Sequence, residues 1–152
     1  MSTMQAQTVS CPHCGYTNRV PVAAEGRPKC GHCKQPLPWI VDAGDNDFTD
    51  VVEKASVPVV VDLWATWCGP CRMVTPALEQ VARELAGRIK LVKVDVDKNP
   101  RVSGRFQVQA VPTLLVLDHG ESVARQTGAA PAHVLRSWVE QVVAGRQTTA
   151  GG

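Results

Sequence analysis

Six cysteines fall into three pairs of identical spacing, Cys11 and Cys14, Cys30 and Cys33, Cys68 and Cys71. Context separates their chemistry. The third pair follows the apolar run Val57 to Leu63, which only Pro58 and Asp62 interrupt and which reads as a buried strand. After it, Val74, Ala77, Leu78, Val81 and Leu85 recur at helical spacing, so this pair sits where a strand ends and a helix begins. A thiolate at a helix N-terminus is stabilised by unpaired N–H groups and the positive end of the helix dipole, which makes Cys68 a nucleophile toward disulfides. Cys71, one helical turn on, is placed to resolve the mixed disulfide by intramolecular attack. Pro70 suits a first helical turn, where its missing N–H costs nothing, and Gly69 keeps bulk away from the nucleophile. Near strand-helix alternation, this pattern favours redox chemistry over a structural disulfide or half a metal site.

The other four cysteines form two knuckles, Cys11-Pro12-His13-Cys14 and Cys30-Gly31-His32-Cys33, separated by fifteen residues, a spacing that fits a zinc site. Four thiolates saturate tetrahedral zinc, so such a centre is structural rather than hydrolytic. Disulfides among the four, or His13 or His32 in place of a cysteine, are the alternatives; each histidine lies inside a knuckle, where it reads as a bystander. Residues 1–36 hold few large apolar side chains, so metal ligation must supply most of this module's folding free energy. Pro36 and Pro38, around Leu37, read as a short stiff linker into a second domain over 39–146, with a flexible tail at 147–152.

The 152 residues suffice for one ordinary domain plus this appendage. Met1 to Ser10 lacks the apolar segment of a secretion signal and no stretch is long enough to span a membrane, which gives the expectation of a cytoplasmic protein with no membrane partner. In that compartment cysteines are metal-binding or catalytic more often than structural disulfides. The net charge of +2 gives no sign of a nucleic-acid partner. Residues 1–36 carry +3 of it, most simply a solvated surface.

Along the second domain, Phe48, Val51, Val52 and Ala55 predict a helix, with Asp45 and Asp47 near its start to favour the dipole. Strands are expected at Ile89 to Asp95, Thr113 to Leu117 and, after a turn at Asp118 to Glu121, Ser122 to Thr127. A short helix should run from Asn99-Pro100 to about Phe106, and a final one after Pro131 with Val134, Leu135, Trp138 and Val142 on one face. The pattern is α/β: a mixed sheet flanked by helices. Pro76 should kink the long helix. Asp62 lies among Val59, Val60, Val61 and Leu63, where ionisation is disfavoured and its pKa should rise, so it can exchange a proton with the resolving thiol near neutral pH. Pro112 stands at the start of an apolar strand, where proline is tolerated.

The segment Val59-Val60-Val61-Asp62-Leu63-Trp64-Ala65-Thr66-Trp67-Cys68-Gly69-Pro70-Cys71 resembles the active-site segment of thioredoxins. Lys93-Val94-Asp95-Val96-Asp97, Asn99-Pro100, Val111-Pro112-Thr113 and Gly128 extend the resemblance over about residues 39–145. It implies the thioredoxin fold, a buried acid at Asp62 beneath Cys71 with Lys93 nearby to modulate it, and a cis-proline at Pro112 facing the cysteines. Trp67, Val96, Val111, Thr127, Gly128 and Ala129 match the family's apolar substrate surface, on which the Val111 backbone receives an extended segment. Leu63 departs from the aromatic residue often found there, a change expected to alter packing only. Trp64, Met73 and Trp138 read as packing residues, and His119 and His133 receive no role. With the four-cysteine module in front, the chain resembles the zinc-binding bacterial second thioredoxins.

The resemblance implies a protein-disulfide reductase holding one structural zinc and no organic cofactor, with NADPH used indirectly through a thioredoxin reductase. Its expected targets are disulfide-containing proteins such as reductases, peroxidases and methionine sulfoxide reductases. Gly-Pro between the cysteines matches the reducing members of the fold. The competing reading is a zinc-regulated binding protein or redox-sensing chaperone, in which the cysteine pair merely reports oxidation.

Overall fold

The computed structural model describes residues 6–23 and 26–151, with the side chains of 146–151 left aside. Strands β1 (Ala6–Ser10) and β2 (Thr17–Pro21) form an antiparallel ribbon that carries the first cysteine knuckle between them. The main sheet is built from β3 (Ile40–Asp42), β4 (Val59–Trp64), β5 (Lys90–Asp95), β6 (Thr113–Asp118) and β7 (Glu121–Thr127), in the spatial order β3-β5-β4-β6-β7. Its β3, β5 and β4 run parallel, and β6 and β7 pair antiparallel, giving the mixed sheet expected from the sequence. Helix α1 (Cys71–Glu84) crosses from β4 to β5, α2 (Pro100–Arg105) precedes β6, and α3 (Ala132–Gly151) ends the described chain. The α3 backbone continues past 146, where a tail was expected to begin.

The period of two along β4 divides its side chains. Val60 joins α1 and α3 residues, among them Val74, Leu78, Leu135 and Val139, in one core. Val59, Val61 and Leu63 face the other core, with Phe48, Val51, Val52 and Val102. Asp62 therefore belongs to the α1 side, and it is completely buried there. The apolar stripe of α3 is Leu135, Val139 and Val143, with Trp138 and Val142 partly covered; Val134, expected on it, is exposed. Truncating Leu135 to alanine should cost about 2–5 kcal/mol, as for other fully buried leucines.

Before β4 the sequence expectations change in two respects. The segment predicted as a helix over Phe48 to Ala55 is a single π-helical turn, Thr49–Glu53, whose Phe48, Val51, Val52 and Ala55 are buried as the spacing required. Asp45 does not serve that turn. Its carboxylate accepts the N–H groups of Arg101 (3.0 Å) and Val102 (2.9 Å) at the start of α2, more than fifty residues away, while Asp47 accepts Gly44 N–H at 2.8 Å and closes a local turn. Dipole complementarity is the right physics applied to the wrong helix.

Pro36 to Pro38 is not a free-standing spacer. Leu37 is buried and its N–H donates to the Pro28 carbonyl, Pro36 bridges Lys29, and Trp39 donates its indole N–H to the Pro21 carbonyl at 3.0 Å. Cys11, Val20, Cys30, Leu37 and Trp39 share one core with the sheet. The ribbon thus borrows the apolar interior that it cannot build alone.

Candidate active site and metal centre

Cys68 and Cys71 are joined as a disulfide with a Cα–Cα distance of 5.4 Å. Strand β4 ends at Trp64, a turn closed by the Cys68 N–H to the Ala65 carbonyl follows, and α1 opens at Cys71 with Pro70 as its N-cap. The first free N–H of the helix, that of Cys71, points at Cys68 Sγ at 3.1 Å, so the helix end stabilises negative charge on that sulfur once the bond is reduced. Both cysteines are only 3% exposed, so in this oxidised form exposure does not distinguish the nucleophile from the resolving thiol. What distinguishes them is the helix end.

Around the pair, Trp67 is 69% exposed and held by its indole N–H to Asp97 Oδ2 at 2.8 Å, an anchor that the sequence reading missed. The Val111–Pro112 peptide is cis, and the Val111 carbonyl lies 3.6 Å from Cys68 Sγ. Gly128 N–H donates to the Pro112 carbonyl at 3.0 Å, with Gly128 at φ +97°, so the end of β7 is tied to the loop beside the disulfide. Val96 and Val111 pack against the small cluster of Ala65, Cys68 and Cys71. Thr127 and Ala129 are exposed, with Gly128 half-buried between them.

Asp62 accepts the Thr75 hydroxyl at Oδ2, 2.6 Å away, while Oδ1 is buried with no hydrogen-bond partner among the described residues. Burial raises its pKa to about 6, against the lowering pull of the Thr75 hydroxyl and the Lys93 charge, with Glu79 adding a small push upward. Lys93, opposite Asp62 in the β4–β5 register, does not bond it. Its Nζ donates to Glu79 at 3.0 Å and lies 4.0 Å from Asp42, so it acts on Asp62 through space. Trp64, Cys71, Thr75 and Lys93 line a cleft of about 490 Å³; Trp64, expected only to pack, has a buried indole N–H without a partner among the described residues.

In the ribbon, Cys11, Cys14, Cys30 and Cys33 place all four Sγ atoms within 4.8 Å of one another. Backbone N–H groups of His13 and His32 point at the sulfurs of Cys11 and Cys30, both 3.4 Å away, and the buried Asn18 amide adds a contact to Cys30 at 3.5 Å. The histidines contribute main chain here, and the Tyr16 and His32 rings stack at 5.5 Å. Burial opposes ionisation of Cys30, but the N–H groups of Cys33 and His32 and the Asn18 amide overcome it and lower the thiol to about 5. Cys14 receives an N–H contact near Tyr16, yet burial and the neighbouring sulfurs push it up to about 12. Four sulfurs at this separation can all be thiolates only around a cation, and the donor set fits one tetrahedral metal ion.

A family model for thioredoxin matches residues 39–141, and one for the N-terminal region of thioredoxin 2 matches residues 10–35. The chain belongs to the thioredoxin family. Among its relatives, thioredoxin C-3 of Corynebacterium nephridii is 36% identical over 88% of this chain and 93% of its own length. The thioredoxin of Haemophilus influenzae is 41% identical over 67% of this chain and 95% of its own, and thioredoxin 1 of a Nostoc species is 41% identical over 64% and 91%. Family and geometry agree: this is a thiol-disulfide oxidoreductase that reduces protein disulfides through the Cys68–Cys71 dithiol/disulfide cycle. Disulfide-containing proteins are its substrates and a reductase its electron source in general terms. Among the described residues no helix is long and apolar enough to cross a membrane.

Proposed function

We propose that the chain is a cytoplasmic thioredoxin of the zinc-binding type, re-reduced by an NADPH-dependent thioredoxin reductase, in which Cys68 attacks and Cys71 resolves. The contact that carries this assignment is the Cys71 N–H on Cys68 Sγ, which stabilises a thiolate on the first sulfur. In each cycle Cys68 forms a mixed disulfide with the target. Cys71 then gives up its proton, with Asp62 as acceptor and Lys93 tuning that acid through space, and its thiolate displaces the target as a thiol.

Trp67, Val96, Val111, Thr127, Gly128 and Ala129 receive an extended target segment, with Gly69, Pro70 and Pro112 shaping the approach. Main-chain recognition of that kind reads no particular sequence, which suits a broad set of oxidised proteins, including reductases, peroxidases and methionine sulfoxide reductases. Cys11, Cys14, Cys30 and Cys33 hold one zinc ion; the convergence of their four sulfurs within 4.8 Å of one another supports a cation there. When bound, zinc supplies a structural cross-link between the two knuckles and no redox chemistry of its own.

The test is a coupled assay of the full chain with NADPH, a bacterial thioredoxin reductase and insulin. NADPH should be consumed as insulin is reduced, in proportion to the chain added. Absence of consumption, with a chemically reduced chain still active on insulin, would reject the reductase assignment alone.

A further inference from the structure

Helix α1 presents Cys71, Thr75 and Glu79 at intervals of four residues, so the three lie along one face. Thr75 lines the cleft beside Cys71 and Lys93, and its hydroxyl reaches Asp62 Oδ2 at 2.6 Å. Asp62 itself is fully covered, and its other oxygen, Oδ1, has no partner among the described residues. One turn further along, Glu79 takes Lys93 Nζ at 3.0 Å, so the lysine that could have bonded the acid is held by another carboxylate. Across the sheet, β6 sets the uncharged Leu114 opposite Asp62. The charged groups that act on the acid are thus Lys93 on β5 and Glu79 on α1, with Asp42 at the end of β3 beside Lys93 and Arg72 on the rim of the cleft.

We propose that Thr75 is a positioning residue of the redox cycle: its hydroxyl fixes the Asp62 carboxyl so that Oδ1 carries the proton, and thereby sets the pH at which that acid exchanges a proton with Cys71. This rests on the role proposed for Asp62. In the resolving step the Cys71 S–H bond breaks and its proton passes to Asp62. The Cys71 sulfur then bonds Cys68 as the bond from Cys68 to the target sulfur breaks, and the target thiolate leaves with the electron pair and takes up a proton. For Asp62 to accept at neutral pH it must be ionised at rest, although burial favours its neutral form. A hydroxyl donated to one oxygen stabilises the carboxylate, and it leaves the other oxygen free to receive the proton.

The experiment compares the full-length protein with Thr75→Val, which keeps the shape and removes the donor, Thr75→Ser, which restores it, Asp62→Asn and the Thr75→Val/Asp62→Asn double variant. Rapid-mixing rates of target release across pH 5 to 9 are read beside an NMR titration of the Asp62 carboxyl in the reduced protein. A hydrogen bond to a charged group is worth enough to move a titration by about one pH unit. Thr75→Val should therefore move both midpoints upward by about one unit, Thr75→Ser should return them, and the double variant should match Asp62→Asn alone.

If both midpoints stay in place in Thr75→Val while Asp62→Asn alters the profile, the role of Thr75 is wrong and that of Asp62 stands. A uniform loss of rate without a shift, not rescued by serine, would make Thr75 a structural residue only. An Asp62→Asn profile identical to that of the unmodified protein would remove both roles together.

Discussion

The ribbon and the redox site use the same side chain at the same spacing and reach opposite outcomes. At Cys68 and Cys71 the pair spans the entry to a helix, so one sulfur faces a free N–H and the two can close on each other. In the ribbon each pair caps a tight turn, the four sulfurs converge, and N–H groups from within the knuckles point at them. Helix geometry favours charge on one sulfur, whereas knuckle geometry gathers four sulfurs close enough to hold a metal ion. The lesson extends to folding. The sheet has two cores, while the ribbon's buried Val20, Leu37, Cys11 and Cys30 share one of them with the domain.

Several measurements break or sharpen that contrast. The largest effect belongs to the redox pair: Cys68→Ser should abolish insulin reduction, whereas Cys71→Ser should accumulate mixed disulfides with target proteins that dithiothreitol releases. Adducts formed equally well by Cys68→Ser would reverse the two roles. Next comes the metal. The purified protein should contain about one equivalent of zinc by elemental analysis, Cys11→Ser should lose it, and the variant should retain most of its disulfide-reductase turnover. Zinc retained after that change would mean the ligand set is wrong.

Asp62→Asn should slow target release and also alter stability, with a sign that can be worked out. The folded acid titrates near 6 and the unfolded one near 3.8, so the folded state holds the extra proton between those values. The contribution of Asp62 to stability is therefore full below about pH 4 and is lost as pH rises through about 6. At pH 8 the asparagine variant should be the more stable by on the order of 2–3 kcal/mol in denaturant unfolding, with the gap closing toward pH 4. A constant difference at all pH values would contradict the buried-acid picture.

The smallest effect concerns the seam between the two regions. Lys90 is fully buried, donates to the carbonyls of Val22 and Val51 at 2.7 Å each, and lies 4.0 Å from the centre of the Trp39 ring. Burial lowers its pKa to about 8, with Asp47 pulling weakly the other way. Lys90→Met keeps the length of the side chain and orphans both carbonyls, a loss of about 1–3 kcal/mol. Hydrogen exchange should then quicken at the ribbon side of the seam while insulin turnover is unchanged. Unchanged exchange there would show that the apolar contacts of Leu37 and Trp39 hold the ribbon unaided.

Much of this was legible in the chain. Strand β4, the long helix after it and the apolar runs of β5 and β6 follow from periodicity, because local burial patterns repeat at 2 and 3.6 residues. Spacing together with context separated the two cysteine sets, and an acid amid valines pointed to a raised pKa. The apolar face of α3 was displaced, since Val134 and Val139 both satisfy helical spacing and only the partner surface chooses between them.

The sequence by itself determined which cysteines pair, which four could hold a metal and what kind of layers enclose them, since these depend on residue type and short spacing. Tertiary structure alone decided the partners across distance. It sent Asp45 to α2, Asp97 to Trp67, Thr75 to Asp62 and Glu79 to Lys93, and it seated the ribbon on Lys90. A side-chain hydrogen bond needs a donor and an acceptor within about 3 Å, and chain separation carries no information about which distant atoms the packed sheet brings that close.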